Sequence, residues 1–149
     1  FKKSSSDVKD GMDISILNFE FRMLSESNNE ILNISWAGAN NPLWYFQNGE
    51  MIEIKPDKQP IGKTDNPKPF STHSLPLSLS ALFLFTDGFA DQFSEQKGKK
   101  LKYSSLKDIL KKHSDKNPSE IKMELEKEFD EWKGGMEQVD DVCVIGVKI

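Results

Sequence analysis

The apolar run Ala81-Leu82-Phe83-Leu84-Phe85 ends on Thr86-Asp87-Gly88. Such a run reads as a buried strand, and its end places one carboxylate in a glycine turn. A carboxylate pair, Asp140-Asp141, opens a second apolar run, Val142-Cys143-Val144-Ile145-Gly146-Val147. If the two strands are antiparallel neighbours, the end of one meets the start of the other at the same sheet edge. Three acids then converge where the strands open to water. Crowded carboxylates repel, and a hard divalent cation relieves the repulsion. The pattern therefore points to a metal site, whose all-oxygen ligands favour magnesium or manganese over zinc. No Ser-His-Asp or Cys-His grouping supplies a side-chain nucleophile. Cys143, inside an apolar run, reads as an inert core thiol. His73 and His113 read as structural or exposed, and Trp36, Trp44 and Phe46 as core.

The elements that must position these acids are mainly strands. Residues 1–9 are polar and serine-rich and are expected to form a mobile lead-in to one domain spanning 10–149. Ile14 to Phe21 alternates, with a phase slip near Ile16-Leu17 that suggests a bulge. A turn is expected over Ser25–Glu30, with Ile31 to Trp36 returning. Leu43 to Phe46 and Met51 to Ile54 form a hairpin around Asn48-Gly49. Pro56 to Pro69 holds four of the seven prolines and reads as a long irregular connection. Strands over Phe70–Leu75 and Leu79–Thr86 follow. Leu106, Ile109 and Leu110 then mark a helix from Ser104 or Ser105 to about His113. Asn117-Pro118-Ser119-Glu120 has the form of a capping box that starts a second helix, which Gly134-Gly135 stops. Strands, then two helices, then a strand predict an α+β layered sheet protein.

The composition sets further bounds. At 149 residues and 36% apolar content the chain can bury about two thirds of its unfolded surface. A net charge of −4 argues against a general nucleic-acid footprint. A single cysteine excludes an internal disulfide framework and suits a reducing cytoplasm. No apolar stretch has the length of a membrane span. A longer parent retains room for a membrane anchor or sensor upstream.

Thr86-Asp87-Gly88 and Gln138-Val139-Asp140-Asp141-Val142 resemble the last two motifs of metal-dependent serine/threonine protein phosphatases of type 2C. Asp10-Gly11-Met12-Asp13-Ile14 and Ala37-Gly38-Ala39-Asn40-Asn41-Pro42-Leu43 resemble middle motifs of the branch related to the stage II sporulation E phosphatase. The resemblance runs from about residue 7 to 149, with Ala39 standing where relatives often carry His. It implies an antiparallel β-sandwich flanked by helices in α-β-β-α layers, here without its N-terminal elements. It also implies Asp87 and Asp140 as metal ligands, and two Mn2+ or Mg2+ ions in the intact domain. Asp141 stands either as a further ligand or as a support at the strand start. Gly88, Asp91, Asp10, Gly11, Asp13 and Asn40 are expected to support the site, and no catalytic group is expected beyond the ligands.

The implied activity is hydrolysis of phosphoserine or phosphothreonine on a bacterial signalling protein, such as an anti-sigma factor antagonist. An upstream sensor or regulatory domain would control it. Lys97, Lys99, Lys100 and Lys102 form a basic loop that could receive the phosphorylated face of a protein. The family also carries an earlier Asp followed by a Gly-His-Gly turn, whose Asp bridges the metals; neither His73 nor His113 is flanked by glycines. The chain is therefore expected to be the C-terminal part of a catalytic domain and inactive by itself. Uncovered sheet is expected to favour pairing with a second copy. The competing function is a non-catalytic module that binds a phosphoprotein or regulatory partner.

Overall fold

The computed structural model describes residues 11–25, 28–62 and 65–149. Along the chain run β1 (Gly11–Met12), β2 (Ile14–Ser25), β3 (Asn28–Ala39), β4 (Leu43–Gln47), β5 (Glu50–Ile54), β6 (Ile61–Gly62), β7 (His73–Leu75), β8 (Ala81–Phe85), α1 (Gly88–Asp91), α2 (Lys102–Lys112), α3 (Pro118–Lys133) and β9 (Val144–Lys148). This is an α+β chain with antiparallel sheets, as the sequence predicts. It divides into two compact units: Phe1–Leu43 with Ile54–Leu77, and Trp44–Glu53 with Ser78–Ile149. The expected lead-in over residues 1–9 lies outside the described residues, as does Asp10. No helix among the described residues is long and apolar enough to cross a membrane.

In the first unit β2, β3 and β7 form one sheet, and β1 pairs with β6 as a two-stranded ribbon. Ile34, Trp36 and Leu75 are buried here. Trp36 spends its indole N–H on Ser15 Oγ at 2.7 Å, which removes the cost of burying a donor. The β2–β3 register is regular at Ile16↔Ala37 and Leu17↔Trp36; it shifts instead between Glu20 and Phe21 and between Met23 and Ser25. The bulge is thus nearer the hairpin tip than the alternation suggests. The strands also run further than expected, covering Ser25 and Asn28–Glu30, while the tip residues 26–27 lie outside the described residues.

The second unit holds the sheet β5-β4-β8-β9, with β9 at its edge. The β4–β5 turn has φ of 52° at Asn48 and 80° at Gly49, the double left-handed geometry that selects Asn-Gly. Apolar side chains of β4 and β8 pack on the helices: Trp44, Phe46, Phe83 and Phe85 share one cluster with Phe89, Leu106, Leu110, Leu125 and Phe129. Trp44 lies 4.1 Å from Phe85, ring centre to ring centre, and gives its N–H to Glu53 at 3.0 Å. The Glu53 carboxylate also takes Lys107. Trp44 and Phe46 are core, as expected, because their rings fill the space between sheet and helices.

Helix α3 starts and stops where its sequence dictates. Asn117 Oδ1 accepts from Glu120 N at 3.0 Å, Glu120 Oε2 accepts from Asn117 N at 3.1 Å, and Pro118 takes a position that needs no N–H. Gly134 ends the helix at φ 59°. Asn117→Ala is expected to cost about 1 kcal/mol of unfolding free energy, read by urea denaturation. An unchanged midpoint would show that the box does not hold the helix start. Lys116 donates to Glu124 at 2.8 Å, and that bond holds the Glu124 carboxyl below its usual range and raises Lys116. The pair is solvent-screened and adds little to stability.

Several boundaries depart from the sequence reading. β7 covers only His73–Leu75 of the expected 70–75 strand, β8 begins at Ala81, and α2 begins at Lys102. The 56–69 connection contains β6, and Asp57 bridges to Ala39. His113 is buried, and His73 tilts against Trp36 with ring centres 5.6 Å apart. β9 begins at Val144, so Cys143 precedes the strand and is exposed rather than core. It lines an apolar groove of about 500 Å3 bounded by Phe83, Phe89, Ile121, Leu125 and Val144.

Candidate metal centre

Strands β8 and β9 are antiparallel neighbours, paired from Ala81↔Lys148 to Phe85↔Val144. The pairing continues past the last ladder pair through Thr86 N, which donates to Cys143 O at 3.0 Å. The Thr86 hydroxyl then makes the connection that matters for the acids. It donates to Asp141 O at 2.9 Å and accepts from Cys143 N at 2.9 Å. One side chain at the end of β8 thus fixes the backbone on both sides of Val142. In the sequence Thr86 stands only as part of a motif; a hydroxyl between an apolar strand and an acid is the available signal for this role.

Gly88 brings the two segments into contact. A Cβ built on Gly88 would stand 2.4 Å from Asp141 O and 2.9 Å from Asp141 C. Only a residue without a side chain lets the first turn of α1 press against the Asp140-Asp141 backbone. That turn is itself closed by Asp91 N donating to Asp87 O at 2.9 Å. Asp87, Asp140 and Asp141 are all exposed. Asp140 Oδ1 accepts from Asp141 N at 2.7 Å, and Asp140 O accepts from Gln138 Nε2 at 2.8 Å. The Asp87 turn and the Asp140-Asp141 segment are therefore adjacent through their backbones. Among the described residues, however, no three His, Cys, Asp or Glu side chains converge as a ligand set.

The other expected site residues fall in several places. Asp91 accepts from Lys100 at 2.8 Å, so its carboxylate is engaged across the loop that follows α1. Gly11 pairs with Gly62 in the β1–β6 ribbon. Asp13 Oδ1 accepts from Asn40 Nδ2 at 2.7 Å, which joins the two middle motifs to each other within the first unit. Asn40 sits at φ 60°, a conformation Asn tolerates, and its N–H donates to Asp57 O at 2.9 Å. In the basic loop Lys97, Lys99, Lys100 and Lys102 are all exposed, and Lys97 lies 4.7 Å from the Trp132 ring centre.

The donor chemistry fits a hard divalent cation: exposed carboxylates at Asp87 and Asp140, with backbone carbonyls beside them. With the described residues alone the set is incomplete, since an octahedral oxygen site needs ligands beyond these.

The sequence profile of the family Stage II sporulation protein E (SpoIIE) matches residues 21–149. The SiaA-PP2C domain of Pseudomonas aeruginosa is similar in structure, with a TM-score of 0.68 and 24% sequence identity. The match covers 78% of this chain and 46% of that one, so the chain spans less than half the length of the solved domain. At this identity the likeness establishes the fold. No curated protein matches the chain.

Proposed function

This chain belongs to the Stage II sporulation protein E (SpoIIE) family of PP2C-like phosphatase domains, and from that membership we propose that it supplies part of the metal centre of a phosphatase acting on phosphoserine or phosphothreonine. The observation that carries the reading is the Thr86 hydroxyl tie, which holds the Asp87 turn against the Asp140-Asp141 backbone across 55 residues of sequence. In this reading Asp87 and Asp140 hold Mn2+ or Mg2+, and two ions complete the intact domain. When bound, such ions supply a water nucleophile near neutral pH and offset charge on the phosphoryl oxygens. The chain's own residues do the positioning: Thr86 orients the Asp141 backbone, Gly88 permits the close approach, and the β8–β9 ladder keeps both in register. Asp141 contributes chiefly through its carbonyl. A phosphorylated signalling protein, of the anti-sigma antagonist type, is the proposed substrate, and Lys97, Lys99, Lys100 and Lys102, all exposed, form the loop proposed to receive it.

The 149 residues contain no Gly-His-Gly turn, and we infer that the metal-bridging Asp of the family must be provided by further sequence. Manganese-dependent hydrolysis of p-nitrophenyl phosphate is expected to be at least about 10³-fold lower in this chain than in a form extended by that segment. Equal rates in the two forms would show that the site has been misplaced. An extended form that binds a phosphoprotein tightly and releases no phosphate would make the domain a binding module.

A further inference from the structure

Gln92 is fully buried, an unusual place for an uncharged polar chain of its length. Every polar atom of its amide faces backbone. Nε2 donates to Glu137 O at 3.0 Å and to Phe93 O at 3.2 Å, and Oε1 accepts from Val139 N at 3.3 Å. Its own carbonyl accepts from Leu101 N at 3.0 Å and from Trp132 Nε1 at 3.1 Å. Gln92 directly follows α1, the turn that begins at Asp87, whereas Glu137 and Val139 belong to the loop entering Asp140. Nearby, Glu95 Oε2 accepts from Gly135 N at 2.8 Å and fixes the far end of the same loop.

We propose that Gln92 is a positioning residue: its buried amide sets the separation between the Asp87 turn and the Asp140 loop, and so tunes metal affinity at a distance. The proposal rests on the metal reading of Asp87 and Asp140. Only a primary amide on a two-carbon stem meets the three demands at once. The shorter side chain of Gln92→Asn would fall one methylene short, and Gln92→Glu would aim carboxylate oxygen at two carbonyls. Gln92→Met would keep the shape and take from Glu137 O and Val139 N the partners they have now. Thr86 fixes the loop from the strand side and Gln92 from the helix side, so losing the amide releases one of two anchors.

The test is Mn2+ binding by electron paramagnetic resonance, with amide hydrogen exchange, in the extended form of the chain. Gln92→Met is expected to weaken Mn2+ affinity about tenfold or more and to speed exchange at Val139 and Asp141. Asn117→Ala, which loosens α3 without touching the loop, should lower Tm and leave Mn2+ affinity unchanged. Gln92→Asn keeps an uncharged amide on a shorter stem, and an intermediate loss is expected; it carries the test if Gln92→Met does not fold. Unchanged affinity in the folded Gln92 variants would overturn the proposal. So would an affinity loss in Asn117→Ala proportional to its loss of Tm, because Gln92 would then act through stability alone. If Asp87→Asn also leaves Mn2+ affinity unchanged, the metal reading itself has failed and the proposal falls with it.

Discussion

Asp87→Asn, in a form that carries the family's upstream Asp segment, is expected to lower manganese-dependent phosphate release about 10³-fold. The substitution keeps the shape of the turn and the Asp91 N–H to residue 87 carbonyl bond, so the fold should survive. What it removes is a full negative charge from the proposed ligand set, and a metal's electrostatic stabilisation of phosphoryl transfer is worth several kcal/mol. Asp140→Asn should lose a comparable amount, because an amide is a weak donor for a hard cation. Asp141→Asn should lose only about tenfold, since the bond to Thr86 uses its backbone carbonyl and not its carboxylate. Initial rates against Mn2+ concentration measure all three. Asp87→Asn and Asp140→Asn variants with parental rates at saturating and limiting metal would remove both residues from the site.

Gly88→Ala should affect binding nearly as strongly for a different reason. No charge changes, yet the new methyl would stand 2.4 Å from the Asp141 carbonyl oxygen, closer than atoms can sit. Either α1 or the Asp140-Asp141 segment must retreat. Overpacking of this kind costs about 1–3 kcal/mol in stability, and the displaced loop should reduce Mn2+ affinity roughly 10- to 100-fold. Tm and Mn2+ titration on the same preparation separate the two effects. Parental Tm together with parental affinity would mean that the contact relaxes without consequence and that Gly88 has no part in shaping the site.

The sequence announces whichever features depend on residues close together in the chain. Asn117, Pro118, Glu120 and Gly134 mark α3 because capping is satisfied within one turn, and Asn48-Gly49 marks its hairpin through two left-handed dihedrals. The β8–β9 adjacency is legible because two apolar runs each carry an acid at one end. Features that depend on distant partners are hidden. Four residues are too few for α1 to display a helical period, and β1 with β6 consists of two-residue strands whose only evidence is each other. Cys143 appears apolar by its neighbours, but it lies just beyond the last ladder pair, Phe85↔Val144, and is exposed. The Thr86 hydroxyl and the Gln92 amide act on backbone groups 45 to 57 residues away, for which composition and periodicity carry no signal.

That separation also sets an expected order of assembly. Helices α2 and α3 close on contacts a few residues apart, whereas the Thr86 tie closes a loop of 55 residues and must offset its entropy before anything rewards it. A nascent or partly unfolded chain can therefore hold its helices while the two acid-bearing segments are still strangers. An ion held by Asp87 and Asp140 as proposed would have no purchase on such a species, and its binding would then report on completed folding. Added Mn2+ would then slow unfolding of the finished domain and leave the early helical steps untouched.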